Sequence, residues 1–581
     1  MQLPPTLPGR SAGASSPTES ISRHIRWQLL LGLAGIALLV ALLGISTYSV
    51  PTVVIPDRGG VFREGIAGTP QNLNPIWCND DTVDRDICAL IYRGLTRMDK
   101  SGKVAPDLAE GWTIDNDRIY TFRLQPDLYW QDGVRLTAAD VLFTIGVLQD
   151  PDLRDIPGLP SLWRNVTVEQ LDELTVRFSL SEPFAPFLDY TTIGLLPAHI
   201  YSTVPVRDIA TNVVKLTPVG SGPMKIVDMA ADHITLEPNS YYGGPVPFIS
   251  TLDMRFYPDH ASMLAAYGAG AIDGISRLLP ADLNSAGARS DLQLFSTVQS
   301  GYTNVLFNLQ NPNTPFFQEK EVRQALMLAL DREALVRDVL YGQGMVANSL
   351  LLPEHWAFNP AVPAYRYEPA QAQALLDAAG WVDSDGDGIR DKEGLPLRFL
   401  LHVSNDMLSQ TMGERLAADW RAIGVEAVPS VVTLAGMVTD FLAPRRFEAA
   451  LTSWDQVGDP DPYPQWHSSQ AAGGGQNYTG WANAEADQLM EEARKSSDSN
   501  KRKELYGRFQ SIFAEELPSL LLYYPVYTYG VSDRVNNVQI GSLNTPSERF
   551  ANFADWYIAS RRVPANQAPA NLPPTPPGAN P

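Results

Sequence analysis

The sequence predicts a mixed α/β body carried behind one apolar helix, and three features predict it. An uninterrupted apolar run stands near the start of the chain. Strand-like alternation and helix-capping signals interleave along the rest. The composition, 44% apolar and 9% aromatic, is that of a globular protein, which sets aside disordered, collagen-like and disulfide-scaffold classes. The 581 residues make roughly four domain-sized units. Basic residues number 44 against 65 acidic, a formal charge of −21, and no local basic patch offsets it. Such a chain repels phosphate backbones, so nucleic acid is excluded as a partner.

Residues 1–26 contain Pro and Ser, carry Arg10, Arg23 and Arg26 against a single Glu19, and are expected to be a disordered cytoplasmic segment. From Trp27 to Tyr48 the chain is almost uninterrupted Leu, Ala, Ile, Val and Gly with no charge, long enough to cross a hydrocarbon layer of roughly 30 Å. Residues 27–49 are therefore read as a transmembrane anchor. With Arg23 and Arg26 on its near flank, the positive-inside rule places everything after Ser49 outside the cell membrane. A cleaved signal peptide is the alternative, because Thr47-Tyr48-Ser49 offers a small-x-small site. The main body is extracytoplasmic in both cases.

That compartment bears on Cys78 and Cys88, the only cysteines. An even count in an oxidising space favours a disulfide. On one straight helix the two Cα atoms would lie about 15 Å apart, beyond the reach of a bridge. Asn79-Asp80-Asp81-Thr82 has the chemistry of a helix N-cap, so Cys78 can instead lie on the incoming loop and fold back. The alternative is a pair of small buried thiols.

Beyond the anchor, Tyr120, Phe122 and Leu124 alternate with Thr121 and Arg123 as in a half-buried strand, and Asp132-Gly133 supplies a turn after Trp130. Thr137 and Asp140 make a capping box for a helix that Pro151 stops. A helix is expected from about Lys320 to Tyr341, ending at Gly342, and another from Pro369 to Gly380. Strands and helices alternate again from Glu414 to Asp455. Residues 563–581, rich in Pro, Ala and Asn, read as a disordered tail.

Catalytic motifs are missing from the sequence. The seven His residues (His24, His199, His233, His260, His355, His402, His467) are scattered, with no H-E-x-x-H, no Walker A and no G-x-S-x-G. Gly268, Gly270 and Gly274 approximate a dinucleotide fingerprint but follow a helical run, not a strand. One loop has metal-like spacing. Asp383, Asp385, Asp387 and Asp391 fall at positions 1, 3, 5 and 9 of a calcium loop, with Gly388 at position 6 for the sharp turn and the Ile389 carbonyl available at position 7. Gly394 stands where the bidentate Glu of such a loop belongs. A weak structural Ca²⁺ is the expectation, against a plain solvated turn.

Several separated segments then carry a resemblance. Leu73-Asn74-Pro75, Tyr92-Arg93-Gly94-Leu95 and Pro106-Asp107-Leu108-Ala109-Glu110-Gly111-Trp112 come first. Tyr120 to Leu124, Trp130-Gln131-Asp132-Gly133 and Thr137 to Val141 follow, then Gly220-Ser221-Gly222-Pro223, Val322 to Leu326, Asp331-Arg332, and Trp454 with Asp459-Pro460-Asp461. Together, over roughly residues 60 to 560, they resemble the family 5 solute-binding proteins of ABC importers, the dipeptide, oligopeptide and nickel receptors.

The resemblance implies a two-lobed α/β fold of the type II periplasmic-binding-protein kind, with an extra domain inserted in lobe one. Lobe one would comprise residues 58–95, 218–302 and 525–560, the inserted domain 96–217, and lobe two 303–524. It implies a monomeric receptor, not an enzyme, that needs no cofactor, closes on a small ligand and delivers it to an ABC permease and its ATPases. A peptide is the first choice of ligand, ahead of opines, sugars and metal chelates; a membrane-anchored sensor and a secreted hydrolase are the alternatives. By the same analogy the ligand residues are Trp77, Asp80, Tyr302, Asn304, Trp454, Asp455 and Gln456. Peptide-binding members place an Asp three residues after the Trp; here Asp455 follows Trp454 directly and the loop to Asp459 is one residue shorter.

Overall fold

The computed structural model describes residues 17–48, 52–78, 81–99, 101–153, 162–212, 218–456 and 458–567. The first compact unit holds the N-terminal helix, Pro17–Tyr48, and a two-stranded ribbon in which Thr52–Pro56 pairs antiparallel with Ser560–Pro564. Trp27–Gly44 within the helix has a mean hydropathy of 2.2 and none of it is buried, so by length and composition it could cross a membrane. The helix starts ten residues before the apolar run, where disorder was expected through residue 26. Extending an existing helix costs far less than nucleating one, so the polar turns ahead of the run join it. The tail also starts later than expected. Val563 and Pro564 belong to the ribbon, Ala565–Gln567 form a 3₁₀ turn, and the rest of the tail lies outside the described residues.

The second unit, Arg58–Ala559, is built on one twisted sheet that runs through both lobes. Its order is Glu426–Val432, Arg398–Ser404, Ala449–Asp455, Gly301–Phe307, Ser519–Ser532, Gly274–Ile275, Val61–Ala67, Thr251–Tyr257, His233–Pro238, Met224–Met229. The Ser519–Ser532 strand is shared. Its first residues, Ser519 to Tyr523, pair with Gly301–Phe307, and Val526 to Ser532 pair with Leu292–Val298. The chain crosses between the lobes a second time at Gln299-Ser300, between Leu292–Val298 and Gly301–Phe307. The fold is thus a two-lobed α/β binding-protein fold, with the crossings side by side.

Lobe one is elaborated by a separate four-stranded sheet in the order Ala109–Asp115, Ile119–Leu124, Thr175–Leu180, Val166–Gln170. Tyr120, Phe122 and Leu124 are fully buried while Arg123 is exposed, as the alternation requires. Asp132-Gly133 closes the turn after Trp130, with Gly133 at a φ of 87° and its N–H donating to the Trp130 carbonyl. Thr137 and Asp140 form a reciprocal capping box on the Ala138–Gln149 helix. Gly220 and Gly222 lie against the end of the Thr82–Ile91 helix, where a Cβ at Gly220 would sit 1.7 Å from the Ile91 carbonyl oxygen.

In lobe two the expected helix from Lys320 to Tyr341 is broken. Lys320–Leu328 ends, Asp331 caps a new turn at Arg332–Ala334, and Leu335–Val339 continues as a π-helical turn. The break follows from Arg332, whose buried guanidinium donates to the Ala347, Leu521 and Tyr365 carbonyls, a direction a straight helix would not give it. Pro369–Ala378 forms as expected, with Gly380 at a φ of 84° just beyond it. Apolar clusters cover both faces of the lobe-two sheet, one around Phe399 and Trp420, the other around Trp466 and Phe513.

Candidate functional site

At the crossover end of lobe two, the Gly301–Phe307 and Ala449–Asp455 strands pair antiparallel, with Tyr302 opposite Trp454 and Gly301 opposite Asp455. Alternation along a strand sends successive side chains to opposite faces. Tyr302, Asn304, Thr452 and Trp454 therefore share one face, as the Thr452 hydroxyl shows by donating to Asn304 Oδ1 at 2.7 Å. Asp455 falls on the other, with Thr303 and Ser453, whose hydroxyls lie 2.9 Å apart. The aromatic and the acid, adjacent in sequence, thus approach the strand end from two sides.

The individual groups differ in how far their bonding is complete. Asn304 is fully buried and donates to Ser519 Oγ at 2.6 Å while accepting from Thr452, so it holds strands together. Tyr302 is 1% exposed and donates to Gln465 Oε1 at 3.1 Å; burial holds its phenol well above the usual range. Gln456 and Tyr302 line a small void with Pro460, Gln465, Trp466 and Tyr506, with room for about one water molecule. Trp454 is half-buried, Asp455 exposed. Among the described residues, Trp454 Nε1 and Gln456 Oε1 are buried without a hydrogen-bond partner.

The lobe-one segment is of another kind. Trp77 is buried in the lobe-one core, apart from the Tyr302–Trp454 cluster. Asn74 organises the turn, its side-chain oxygen accepting from Ile76 N–H at 3.0 Å and its carbonyl from Trp77 and Cys78 N–H. Cys78 and Cys88 are joined in a disulfide, with Cα atoms 6.3 Å apart. As the capping chemistry suggested, Asp81 caps the Thr82–Ile91 helix, accepting from Val83 and Asp84 N–H, and Cys78 lies on the loop ahead of it. Asp80 lies outside the described residues.

A family model described as bacterial extracellular solute-binding proteins, family 5, matches residues 103–476. The oligopeptide-binding protein AppA of Bacillus subtilis is 31% identical over 517 residues, covering 87% of this chain and 92% of that protein. Its structure with a nonapeptide superposes with a TM-score of 0.69 at 30% identity, covering 87% of this chain and 100% of that one. The chain belongs to family 5 of the extracellular solute-binding proteins. The dipeptide-binding protein of Escherichia coli is 27% identical to it over 484 residues, 78% of this chain and 87% of that protein. NikZ of Campylobacter jejuni, solved with Ni(L-His), matches with a TM-score of 0.70 at 26% identity, over 86% of this chain and 99% of that one. This is a family of receptors that bind solutes, not of enzymes.

In this family 5 protein, the Asp-Pro-Asp motif after Trp454 is fixed by ion pairs. Asp459 pairs with Arg502, and Asp461 with Arg494 at 3.0 Å. Burial raises Asp461 to about 6 despite the Arg494 charge. Asp189, from the segment 96–217, accepts a hydrogen bond from Asp459 N–H, and burial followed by repulsion from Asp459 raises its carboxyl well above the usual range. Sequence reasoning missed Asp189, Arg494 and Arg502. Asp189 lies 270 positions from Asp459, and nothing local marks it as a partner.

The metal-like loop is only partly assembled. Asp383, Asp385 and Asp387 bring ligand atoms within 4.8 Å of one another and could hold a cation. Asp391 instead accepts from Ser384, from the backbone N–H at 3.0 Å and the hydroxyl at 2.7 Å. Ile389 donates its N–H to Asp387 and is 3% exposed. The short Asp391–Lys392 and Leu395–Pro396 hairpin that follows turns at Glu393-Gly394, both with positive φ.

Proposed function

We propose that this protein captures a peptide at the crossover end of its lobes and hands it to an ABC permease driven by its ATPases. The Trp27–Gly44 helix would stay in place as a membrane anchor. The observation that carries the site is the unspent chemistry at one strand end: Trp454 Nε1 and Gln456 Oε1, buried without partners among the described residues, beside the exposed Asp455 carboxylate. A buried donor or acceptor left unpaired costs free energy that a ligand's amide groups can recover. Asp455 would attract a ligand ammonium from the rim. Lobe closure would then trap the ligand and raise the population that docks on the permease.

Relatives named for oligopeptides and dipeptides support a peptide, and the NikZ complex makes a metal chelate the competing ligand. Mass spectrometry of the molecules that co-purify with the protein tests this. Peptide masses are expected; a homogeneous metal chelate or carbohydrate without peptide masses would refute the reading. We also infer a weak structural role for Ca²⁺ at Asp383, Asp385 and Asp387, where clustered carboxylates repel until a cation joins them. Calcium should raise the melting temperature of chelator-treated protein, and an unchanged melt would leave the loop to its own hydrogen bonds.

A further inference from the structure

The Trp454 ring is backed by a layered contact that the motif around it does not announce. Tyr478 stacks on it, with ring centroids 6.0 Å apart and planes 30° from parallel. The Arg445 guanidinium lies over the Tyr478 ring, 5.8 Å from its centroid. Arg445 is itself tied down. It donates to the Ala443 carbonyl at 2.9 Å, and across to the Gln470 carbonyl at 3.1 Å and the Gly475 carbonyl at 2.9 Å. Its backbone is left-handed, with a φ of 56°, and its carbonyl accepts from the Asn308 side chain at 3.0 Å. Asn308 lies just beyond the Gly301–Phe307 strand, so this anchor reaches the same sheet that carries Trp454.

These contacts set the orientation of a side chain that the sheet alone would leave loose. Trp454 is next to last in its strand, where ladder restraint is weakest, and it is half-buried. Tyr478 covers it from a stretch that contains Gly473, Gly474 and Gly475, a run with little intrinsic order. Arg445 bonds to carbonyls on the near side of that run and within it, so it fixes the segment that delivers Tyr478. Stacking of an aromatic pair and a cation on a ring face are each attractive beyond simple area burial.

We propose that Tyr478 and Arg445 are positioning residues for Trp454, holding its indole in the orientation that meets the ligand; the ligand clause rests on the function proposed above. Arg445 acts through Tyr478, and Tyr478 acts through the ring stack.

The test isolates the Trp454 signal in the full chain by subtracting the emission of Trp454→Phe. Tyr478→Ala should red-shift that component and raise its acrylamide quenching. Arg445→Ala should do so more weakly, and Tyr478→Phe, which keeps the ring, should restore the wild-type spectrum. In the second arm, the amount of a tryptic peptide digest retained by each variant is weighed by mass spectrometry. Tyr478→Ala should cut retention about threefold to tenfold, the scale of one aromatic pair, with Tyr478→Phe near wild type. A Trp454 component unchanged by Tyr478→Ala overturns the positioning role. A shifted spectrum with unchanged retention, or wild-type protein that retains no peptide, leaves the stack standing and overturns the ligand clause instead.

Discussion

The Leu73–Cys78 segment of lobe one and the Trp454–Gln456 segment of lobe two differ in how much of their polar chemistry is already spent. Around the first, Asn74 bonds within its turn, the Gln71 and Asn72 backbone N–H groups donate to Asp84, and a disulfide closes the loop; among the described residues there, only the Asn74 side-chain nitrogen is buried without a partner. Around the second, an indole N–H and an amide oxygen are buried unpaired, and the neighbouring acid faces water. A segment whose groups are satisfied internally answers mutation with lost stability. One whose groups await a partner answers with lost binding.

The largest effect should come from the satisfied side. Arg549 is fully buried, bonding Glu64 at 3.0 Å and Asp86 on the Thr82–Ile91 helix at 2.7 Å. Arg549→Met strands two buried carboxylates and should cost about 3–5 kcal/mol in urea unfolding. A loss confined to ligand affinity would break the comparison. Replacing Cys78 and Cys88 together by Ser should cost about 2–3 kcal/mol by the chain-entropy argument. The native protein, denatured without reductant, should titrate no free thiol.

Trp454→Ala should reverse that pattern, losing about 1–3 kcal/mol of ligand affinity while the unfolding midpoint stays close to wild type. Equal affinity with a lowered midpoint would make Trp454 a core residue. Asp455→Asn should be milder, about 0.5–1 kcal/mol, because an exposed charge is screened, and only for cationic ligands. The two side chains lie on different faces of the strand, so their effects should be separable in a double mutant.

The last prediction concerns pH. His355 Nδ1 accepts from the Ala357 N–H, which fixes the ring as neutral, and burial lowers its pKa to about 4 from 6.5. The unfolded chain takes up the proton first. The contribution of His355 to stability is therefore full above pH 6.5 and lost as pH falls through 4. Replacing His355 by Gln should flatten the melting temperature across that window, and an unaltered slope would assign the acid sensitivity elsewhere.

Local signals in the sequence were dependable where the cause is local. The Tyr120–Leu124 alternation, the Thr137–Asp140 box and the Asp81 cap each depend on neighbours within a few residues, and each forms. The broken helix at Asp331 was not legible, because Arg332 is drawn inward by carbonyls at Ala347, Tyr365 and Leu521. The site was legible as a segment but not as a geometry. Trp454 and Asp455 are adjacent in sequence, whereas strand pleating sends them to opposite faces. Tyr478 and Arg445 could not be linked to Trp454 from sequence, since the contact exists only when three distant stretches meet.

The ribbon that pairs Thr52–Pro56 with Ser560–Pro564 has a consequence for biogenesis. Its first strand follows the apolar helix at once, yet its partner is reached only after the whole Arg58–Ala559 unit has been synthesised. That first strand therefore stays unpaired until the chain is complete and zips last. A chain that stops short of Ser560 would keep an unpaired Val53-Val54-Ile55 edge, a mark by which unfinished receptors differ from finished ones.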